Sequence, residues 1–305
     1  MWAHAHIFVY HRFGDSRYPT TNTTIKELRH EFEYFKTNGY EVVPLKQLIV
    51  ALKGEKDIPD NWVVLTIDDN FKSFYTNALT VFKEYNYPFS VFVYVEATQK
   101  KYPDYLTWEN LREISKYGSL EFHSYGHKHM TSLSNDEIKK DFDKGLALFE
   151  KKLNLKPTVF TYPYGEYSTR VQKIAKSYGF DAIINQNMGA ISSFSNVYDM
   201  DRTALVGKSN IKLYLKYKAL DAKWIEPTTF PENSVLKTLH LKTNENAKSG
   251  GVYVTGHGWL QTKLKDGNFN LKLNKKLTNK RSRILVSVGN KISSKLIIKD
   301  KYGTK

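Results

Sequence analysis

The sequence contains no cysteine. Disulfides and thiolate metal sites are therefore excluded, and any metal ligands must come from His, Asp or Glu. No apolar run approaches the roughly 20 residues of a membrane helix, so no transmembrane segment is expected. No signal peptide is recognisable either, yet the chain opens with the strand-like run MWAHAHIFVYHRF. We interpret this opening as a mature protein without its leader, which predicts an extracytoplasmic (periplasmic or secreted) location.

The length of 305 residues suits one large and one small domain. A barrel takes roughly 200 to 250 residues, which leaves room for a small additional domain. Apolar residues make up 41% of the chain and aromatic residues 14%. This composition is globular and unlike that of a disordered chain.

The net charge of +15 is concentrated near the end of the chain. Residues 221–305 hold 17 Lys and Arg against 6 Asp and Glu, an excess of 17 − 6 = +11. A solvated, solubilising face explains such an excess most simply. The alternative is attraction to an anionic surface, such as a cell-wall polymer or a membrane. No nucleic-acid partner is expected, because no recognisable binding motif accompanies the charge.

Up to about residue 220, short β-rich runs alternate with segments of helical period, which is typical of parallel strands joined by crossover helices. Seven runs have strand character: IFVYH (7–11), YEVVPL (40–45), WVVLTI (62–67), FSVFVYV (89–95), SLEFHS (119–124), TVFTYP (158–163) and DAIIN (181–185). Capping signals bound three of the intervening helices: 24–39, 107–118 and 134–153. Seven such strands predict a closed or nearly closed barrel.

After residue 220 the helical period disappears. Short alternating runs follow, separated by Gly, Asn and Lys turns: VLKTLHLKT, GVYVTGHGW, NFNLKLN, RILVSVGN and SKLIIKD. We predict a small all-β module of sandwich type here. The predicted domains are therefore a barrel over 4–220 and a β-rich accessory domain over 221–305.

Three of the predicted barrel strands end in unusual polar residues. WVVLTI leads into Asp68 and Asp69, SLEF into His123 and His127, and TVFT into Tyr164. Because the carboxyl ends of parallel barrel strands open on one face, these side chains are expected to meet there.

The adjacent carboxylates repel each other unless a cation lies beside them. One carboxylate and two imidazoles suit a divalent metal and leave positions open for water and substrate. Two histidines four residues apart are a weak signal by themselves, because exposed or core histidines are commoner.

The order of these segments resembles the polysaccharide deacetylases of carbohydrate esterase family 4, which carry a NodB-like domain. TIDDN, HSYGH and YPYG are similar to the first three motifs of that family, and YHRFGD to the first strand of many bacterial members. The resemblance covers about residues 4–220. It implies an α/β fold with a distorted seven-stranded (β/α) barrel, followed here by the small C-terminal all-β, sandwich-like domain.

The resemblance also implies an activity, the metal-dependent hydrolysis of N-acetyl groups from a polysaccharide of cell-wall or exopolysaccharide type. Asp69, His123 and His127 match the metal ligands, with zinc as the expected ion, and Asp68 matches the general base. The base then removes a proton from water that the metal has acidified.

In the same way, Pro163 and Tyr164 match the third motif. The backbone N–H of Tyr164 is expected to stabilise the oxyanion, and both residues are expected to contact substrate. Arg202, in YDMDRTAL, is our candidate for the arginine that steadies the base, although a surface salt bridge is an equal alternative.

The sequence departs from the family pattern at several positions. Asn70 replaces the usual Gly, and Thr161 stands where an Arg is frequent. The fifth motif, which supplies a histidine as general acid, has no match. His240 and His257 both fall in the β-module, where a structural role is favoured.

These departures leave two alternatives open. One is a carbohydrate-binding protein on a catalytically weak barrel, and the other is a metal amidase that acts on a small amide. The sequence does not distinguish peptidoglycan, a chitin-like polymer and poly-N-acetylglucosamine as the substrate.

Overall fold

The computed structural model describes residues 4–54 and 58–303. The first part of the chain contains ten strands: β1 His6–Tyr10, β2 Arg12–Phe13, β3 Asn22–Thr23, β4 Glu41–Val42, β5 Trp62–Ile67, β6 Ser90–Val93, β7 Ser119–Phe122, β8 Val159–Thr161, β9 Ala182–Ile184 and β10 Thr203–Ala204. Its helices are α1 Ile25–Thr37, α2 Leu45–Lys53, α3 Leu79–Glu84, α4 Val95–Gln99, α5 Trp108–Ile114, α6 Asn135–Leu153, α7 Thr169–Lys176 and α8 Ile211–Tyr214. None of the helices in these described ranges is both long and apolar enough to span a bilayer.

Seven strands form one continuous parallel sheet in the order β10-β1-β5-β6-β7-β8-β9. A parallel bridge from Ile184 to Met200 brings the last strand next to the segment that leads into β10. The sheet therefore almost closes on itself, which confirms the predicted distorted seven-stranded barrel.

One predicted strand lies elsewhere. The run at 40–45 yields only the two residues of β4, which pairs with β5 outside the main order. Pro44 precedes helix α2 as its N-cap, and the chain is helical from Leu45 onward. The seventh place in the sheet belongs to β10, which has two residues and no strand-like pattern that sequence reasoning could detect.

Helix α6 shows how local sequence sets its ends. Ser134 caps the first turn in a reciprocal capping box with Glu137, and Asn154 ends the helix in the left-handed conformation. Gly145 faces strand β7, and a Cβ there would come within 2.7 Å of the Phe122 ring. This close approach requires glycine, and it holds α6 against the strand that leads to His123.

Both faces of the sheet are buried. One face packs against the outer helices, with a core that includes Phe32, Phe122 and Phe142. The other face packs against α2 through residues such as Ile7 and Val64. Each large apolar side chain buried in this way contributes about 1.5–3 kcal/mol, so the sheet is a rigid frame for residues at its strand ends.

The second part of the chain is all β, as predicted. Its strands are β11 Lys218–Ala219, β12 Ala222–Glu226, β13 Val235–Thr243, β14 Ser249–Val254, β15 Gly258–Lys263, β16 Asn268–Lys276, β17 Arg281–Val288 and β18 Lys291–Ile298. They form a five-stranded sheet, β11-β18-β17-β14-β15, and a three-stranded sheet, β12-β13-β16, that share one hydrophobic core. We call these two sheets the C-terminal sandwich. The division after residue 220 stays a prediction, and β11, just before it, pairs with β18.

Candidate functional site

The carboxyl ends of β5, β7 and β8 bring the predicted polar residues to one end of the barrel. The backbone N–H of Asp68 donates to the Tyr10 carbonyl (2.9 Å), and that of His123 donates to the Val93 carbonyl (3.1 Å). These bonds continue the ladders of β5 and β7 by one residue beyond each strand. The side chains that follow are therefore placed by the sheet.

The turn after β5 uses left-handed backbone. Asp69 and Asn70 have φ angles of 68° and 45°, a region that short polar residues adopt more readily than others. The Asn70 side chain accepts from the Tyr94 N–H (2.6 Å) and donates to Thr98 Oγ1 (2.9 Å). Asn70 thus serves where the family usually has Gly, and its side chain adds contacts that Gly lacks.

The turn after β7 aims His127 back toward His123. Ser124 accepts from the His127 N–H at 2.9 Å, and both residues have positive φ. Asp141 on α6 accepts from the N–H groups of Tyr125 (2.8 Å) and Gly126 (2.7 Å). Sequence reasoning missed Asp141, although an acidic residue on the buried side of an amphipathic helix is a detectable signal.

The predicted metal ligands converge. Ligand atoms of Asp69, His123 and His127 lie within 4.8 Å of one another. Asp69 Oδ1 is 2.9 Å from His127 Nε2 and 3.3 Å from His123 Nε2. This oxygen is buried, yet among the described residues it has no partner in hydrogen-bond geometry. A buried acceptor beside two imidazole nitrogens fits a shared divalent cation, so the residues present suit a metal ion.

The His123 ring is held from its other side. Its Nδ1 lies 2.9 Å from the Thr161 carbonyl and 2.7 Å from Thr161 Oγ1. Donation from Nδ1–H to the carbonyl leaves the Nε2 lone pair directed at Asp69, which is the tautomer that a metal ligand requires. Thr161, a departure from the family pattern, therefore orients a predicted ligand.

Asp68 and Arg202 form a buried pair in which each is at most 1% exposed. Arg202 donates from Nη1 to Asp68 Oδ1 at 2.8 Å and from Nη2 to Oδ2. Its Nε donates to the Asn185 carbonyl (2.9 Å), and its Nη1 also reaches Thr66 Oγ1 (3.2 Å). The predicted contact between Arg202 and Asp68 is present, and it is not a surface salt bridge.

Charge around the two carboxylates keeps them ionised. Burial alone would raise the pKa of Asp68, but Arg202 and His123 outweigh it and hold that pKa below its usual value. Burial also acts on Asp69, whose neighbours His123 and His127 hold its pKa well below normal. One ionised carboxylate thus faces the imidazoles while the other faces the arginine.

Tyr164 lies beside this centre in a turn with φ of 61°. Its ring contacts that of His127 with centroids 4.6 Å apart and stacks on His129 at 4.1 Å. His129 Nδ1 in turn lies 2.7 Å from Glu166. At 39% exposure, Tyr164 is open to solvent and able to contact a ligand. Pro163, which precedes it, is buried.

Three other histidines have different settings. His11 is near both aspartates, burial lowers its pKa, and its buried Nδ1 has no hydrogen-bond partner within the described ranges. His240 lies in β13, and His257 Nε2 pairs with the Lys276 carbonyl. Among residues 4–54 and 58–303, His240 and His257 have no hydrogen bond, ion pair or ring contact with the metal-site and base residues, which are Asp68, Asp69, His123 and His127.

Comparisons with known proteins identify similar polysaccharide deacetylases. The family model described as polysaccharide deacetylase matches residues 55–183. YxkH of Bacillus subtilis (strain 168), named as a polysaccharide deacetylase, is 24% identical over 64% of this chain and 69% of its own length. The poly-β-1,6-N-acetyl-D-glucosamine N-deacetylase of Escherichia coli (strain K12) is also 24% identical, over 65% of this chain. This chain spans about a third (35%) of that protein.

Among solved structures, the deacetylase PplD of Streptococcus pyogenes in complex with acetate shares the fold. It superposes with a TM-score of 0.64 at 19% identity, over 70% of this chain and 96% of its own. The resemblance that the sequence motifs indicated is therefore confirmed.

Proposed function

We propose that this chain belongs to the polysaccharide deacetylase family, whose model matches residues 55–183, and that it removes N-acetyl groups from a polysaccharide by metal-dependent hydrolysis. The observation that carries the proposal is the convergence of Asp69, His123 and His127 beside the buried pair of Asp68 and Arg202. These residues combine a metal-ligand set with a separate carboxylate, which is what hydrolysis of an amide by activated water needs.

Asp69, His123 and His127 would hold one divalent ion. We propose zinc, because imidazole and carboxylate donors suit it and three protein ligands leave room for reactants. When bound, the ion supplies a Lewis acid that polarises the amide carbonyl and acidifies water.

Asp68 acts as the general base. It is ionised, and Arg202 holds both of its oxygens, so the carboxylate cannot rotate away from the site. It accepts the proton of the attacking water as the oxygen of that water bonds to the acetamide carbon. Arg202 orients this base.

Tyr164 forms the substrate side of the site, in the turn that begins at the buried Pro163. The backbone N–H of Tyr164 stabilises the negative oxygen that develops on the acetamide, and the fixed φ of Pro163 restricts the turn that presents it. The exposed Tyr164 ring, packed on His127 and His129, offers an apolar face to a sugar ring.

The substrate we propose is a polymer of N-acetylated sugars outside the cytoplasm. The name of the Escherichia coli relative makes poly-β-1,6-N-acetyl-D-glucosamine the first polymer to test. Acetate release should be measured on that polymer, on chitin oligomers and on peptidoglycan, with and without chelator. We expect release from at least one, loss on chelation and recovery with zinc. Polymer binding with no acetate release in the presence of zinc, manganese or cobalt would favour the carbohydrate-binding alternative.

The C-terminal sandwich suits an anionic surface of cell-wall type. Lys223 on β12 is the register partner of Lys242 on β13, and both are exposed. Lys272 on β16 lies on the same face of the three-stranded sheet, because β16 continues the register. Among the described residues, none of the three has an acidic partner within salt-bridge distance. Like charges placed opposite each other destabilise a sheet, and an anionic partner would relieve that repulsion.

A further inference from the structure

A short irregular segment, residues 185–188, follows strand β9 and holds Arg202. The Arg202 Nε donates to the Asn185 carbonyl (2.9 Å), and the Arg202 backbone N–H donates to the Asn187 carbonyl (3.0 Å). The segment has no helix or strand structure of its own. Its shape, and with it the position of Arg202, therefore depends on what contacts it from outside.

The C-terminal sandwich supplies three of those contacts. Arg283 on β17 donates to the Gln186 carbonyl (2.8 Å). On β18, Ser294 Oγ donates to the Met188 carbonyl (2.8 Å), and the Leu296 N–H donates to Asn187 Oδ1 (3.1 Å). Three consecutive residues of the segment are thus bonded to two neighbouring strands of the sandwich.

On the barrel side, buried polar groups fix the same segment. Asn185 Nδ2 donates to Asp199 Oδ1 (2.8 Å) and Asp201 Oδ1 (3.0 Å), and Asn185 Oδ1 accepts from the Asn187 N–H (2.7 Å). Asp201 immediately precedes Arg202 in the chain. A Cβ at Gly189 would lie 2.5 Å from the Asp201 carboxylate, so the chain can pass this close to Asp201 only because residue 189 is glycine.

We infer that the C-terminal sandwich positions the catalytic base. Arg283 and Ser294 fix the 185–188 segment, the segment fixes Arg202, and Arg202 fixes the carboxylate of Asp68. Arg283 and Ser294 are positioning residues in this sense, because neither touches the reacting atoms. The inference rests on the proposed function for the role of Asp68, and it gives the sandwich a role at the site in addition to binding a surface.

The chain offers a matched control on the same strand. Ser293, next to Ser294, accepts from Trp224 Nε1 (3.0 Å) inside the sandwich and, in the part of the chain that the structure describes, has no hydrogen bond to the 185–188 segment. Ser293→Ala removes one hydroxyl from the sandwich, as Ser294→Ala does, but leaves the segment untouched. The two variants therefore differ in the partner that the lost hydroxyl had: Trp224 for Ser293 and the Met188 carbonyl for Ser294.

The test compares the double variant Arg283→Met/Ser294→Ala with Ser293→Ala and the parent chain. We expect kcat on a soluble N-acetylated oligosaccharide to fall roughly tenfold or more in the double variant, with KM and bound zinc within twofold of the parent. Ser293→Ala should keep the parent kcat. A double variant with parental kcat, or one whose loss is entirely in zinc content, would overturn the inference.

A crystal structure of the double variant tests the same inference without any activity. We expect Arg202 to lose at least one of its two bonds to Asp68, while Ser293→Ala keeps both. An unmoved pair would refute the positioning role even if the parent chain released no acetate. Failure of the proposed function, by contrast, would appear in the parent chain as absence of acetate release with zinc bound.

Discussion

Arg202 and Asp68, which stand 134 residues apart in the chain, meet as a bidentate pair with almost no solvent exposure. The planar guanidinium matches the two carboxylate oxygens, so it fixes the orientation of the carboxylate as well as its charge. A purely structural ion pair would have no need of a second carboxylate beside it. Asp68 is instead followed directly by Asp69, which is one of the predicted metal ligands.

The first prediction concerns this carboxylate. Asp68→Asn should retain bound zinc and lose about 10² to 10⁴-fold in kcat, because an amide cannot accept the proton. Acetate release and zinc content, measured on the same preparation, check this outcome. Asp181→Asn, which changes an exposed aspartate far along the chain, is the control and should keep parental values. Near-parental turnover in Asp68→Asn would remove Asp68 from the role of base.

The second prediction concerns the three ligands. His123→Ala, His127→Ala and Asp69→Ala should each lower zinc content and activity together, since each removes one of three converging donors. His30→Ala changes an exposed histidine on α1 and should affect neither. Elemental analysis after dialysis and acetate release provide the two readouts. A ligand variant with full zinc and full turnover would show that the assigned centre is wrong.

The third prediction concerns stability and pH. Burial raises the pKa of Glu31 to about 8, while a hydrogen bond from Tyr10 acts in the opposite direction. Between the unfolded value near 4.5 and about 8, the folded state holds more protons at this site. The free energy of unfolding should therefore fall as pH rises through that window, by up to about 1.4 kcal/mol per pH unit.

Glu31→Gln should remove this contribution, because glutamine does not titrate. Urea denaturation of the parent and the variant between pH 5 and 8.5 measures the difference. Glu33→Gln, an exposed position on the same helix, should keep the parental slope. If the slopes of the parent and Glu31→Gln coincide, Glu31 does not titrate in the expected window.

The sequence was most informative where polar residues interrupt a strand pattern. Asp68, Asp69, His123 and His127 follow apolar runs whose parallel arrangement was predictable, so their meeting at one end of the barrel was predictable too. Arg202 was identified as a partner of Asp68 only through the family resemblance, since nothing near YDMDRTAL signals burial.

Other parts of the site depend on tertiary contacts that leave little local signal. The 185–188 segment has no periodic pattern, and its bonds to Arg283 and Ser294 join strands about 100 residues away. Strand β10 is too short to show alternation. Asp141 is the exception, because its place on the buried side of α6 could have been read from helical period.

The last prediction concerns the exposed lysines of the three-stranded sheet. If Lys223 and Lys242 bind an anionic surface, the double variant Lys223→Glu/Lys242→Glu should bind less to cell-wall sacculi that carry phosphate-rich polymer. Acetate release from soluble oligosaccharides should be unchanged, because neither lysine, in the described structure, has a hydrogen bond or ion pair with the segment that holds Arg202. Lys26→Glu/Lys139→Glu makes the same charge change on exposed barrel helices and serves as the control.

The dependence on salt separates charge attraction from other contacts to these sacculi. Surface charges are screened beyond about 8 Å at 0.15 M ionic strength, so parental binding in a sedimentation assay should weaken between low salt and that concentration. The double variant should show a smaller change, since it has lost the charges that salt screens. Sacculi stripped of their phosphate polymer should bind the parent and the Lys223→Glu/Lys242→Glu variant equally.

Two outcomes would contradict this prediction. If Lys223→Glu/Lys242→Glu and the control Lys26→Glu/Lys139→Glu lose binding to the same extent, the attraction depends on net charge alone and not on the lysines of the three-stranded sheet. If neither loses binding at any salt concentration, the basic charge of the sandwich is only a solvated face.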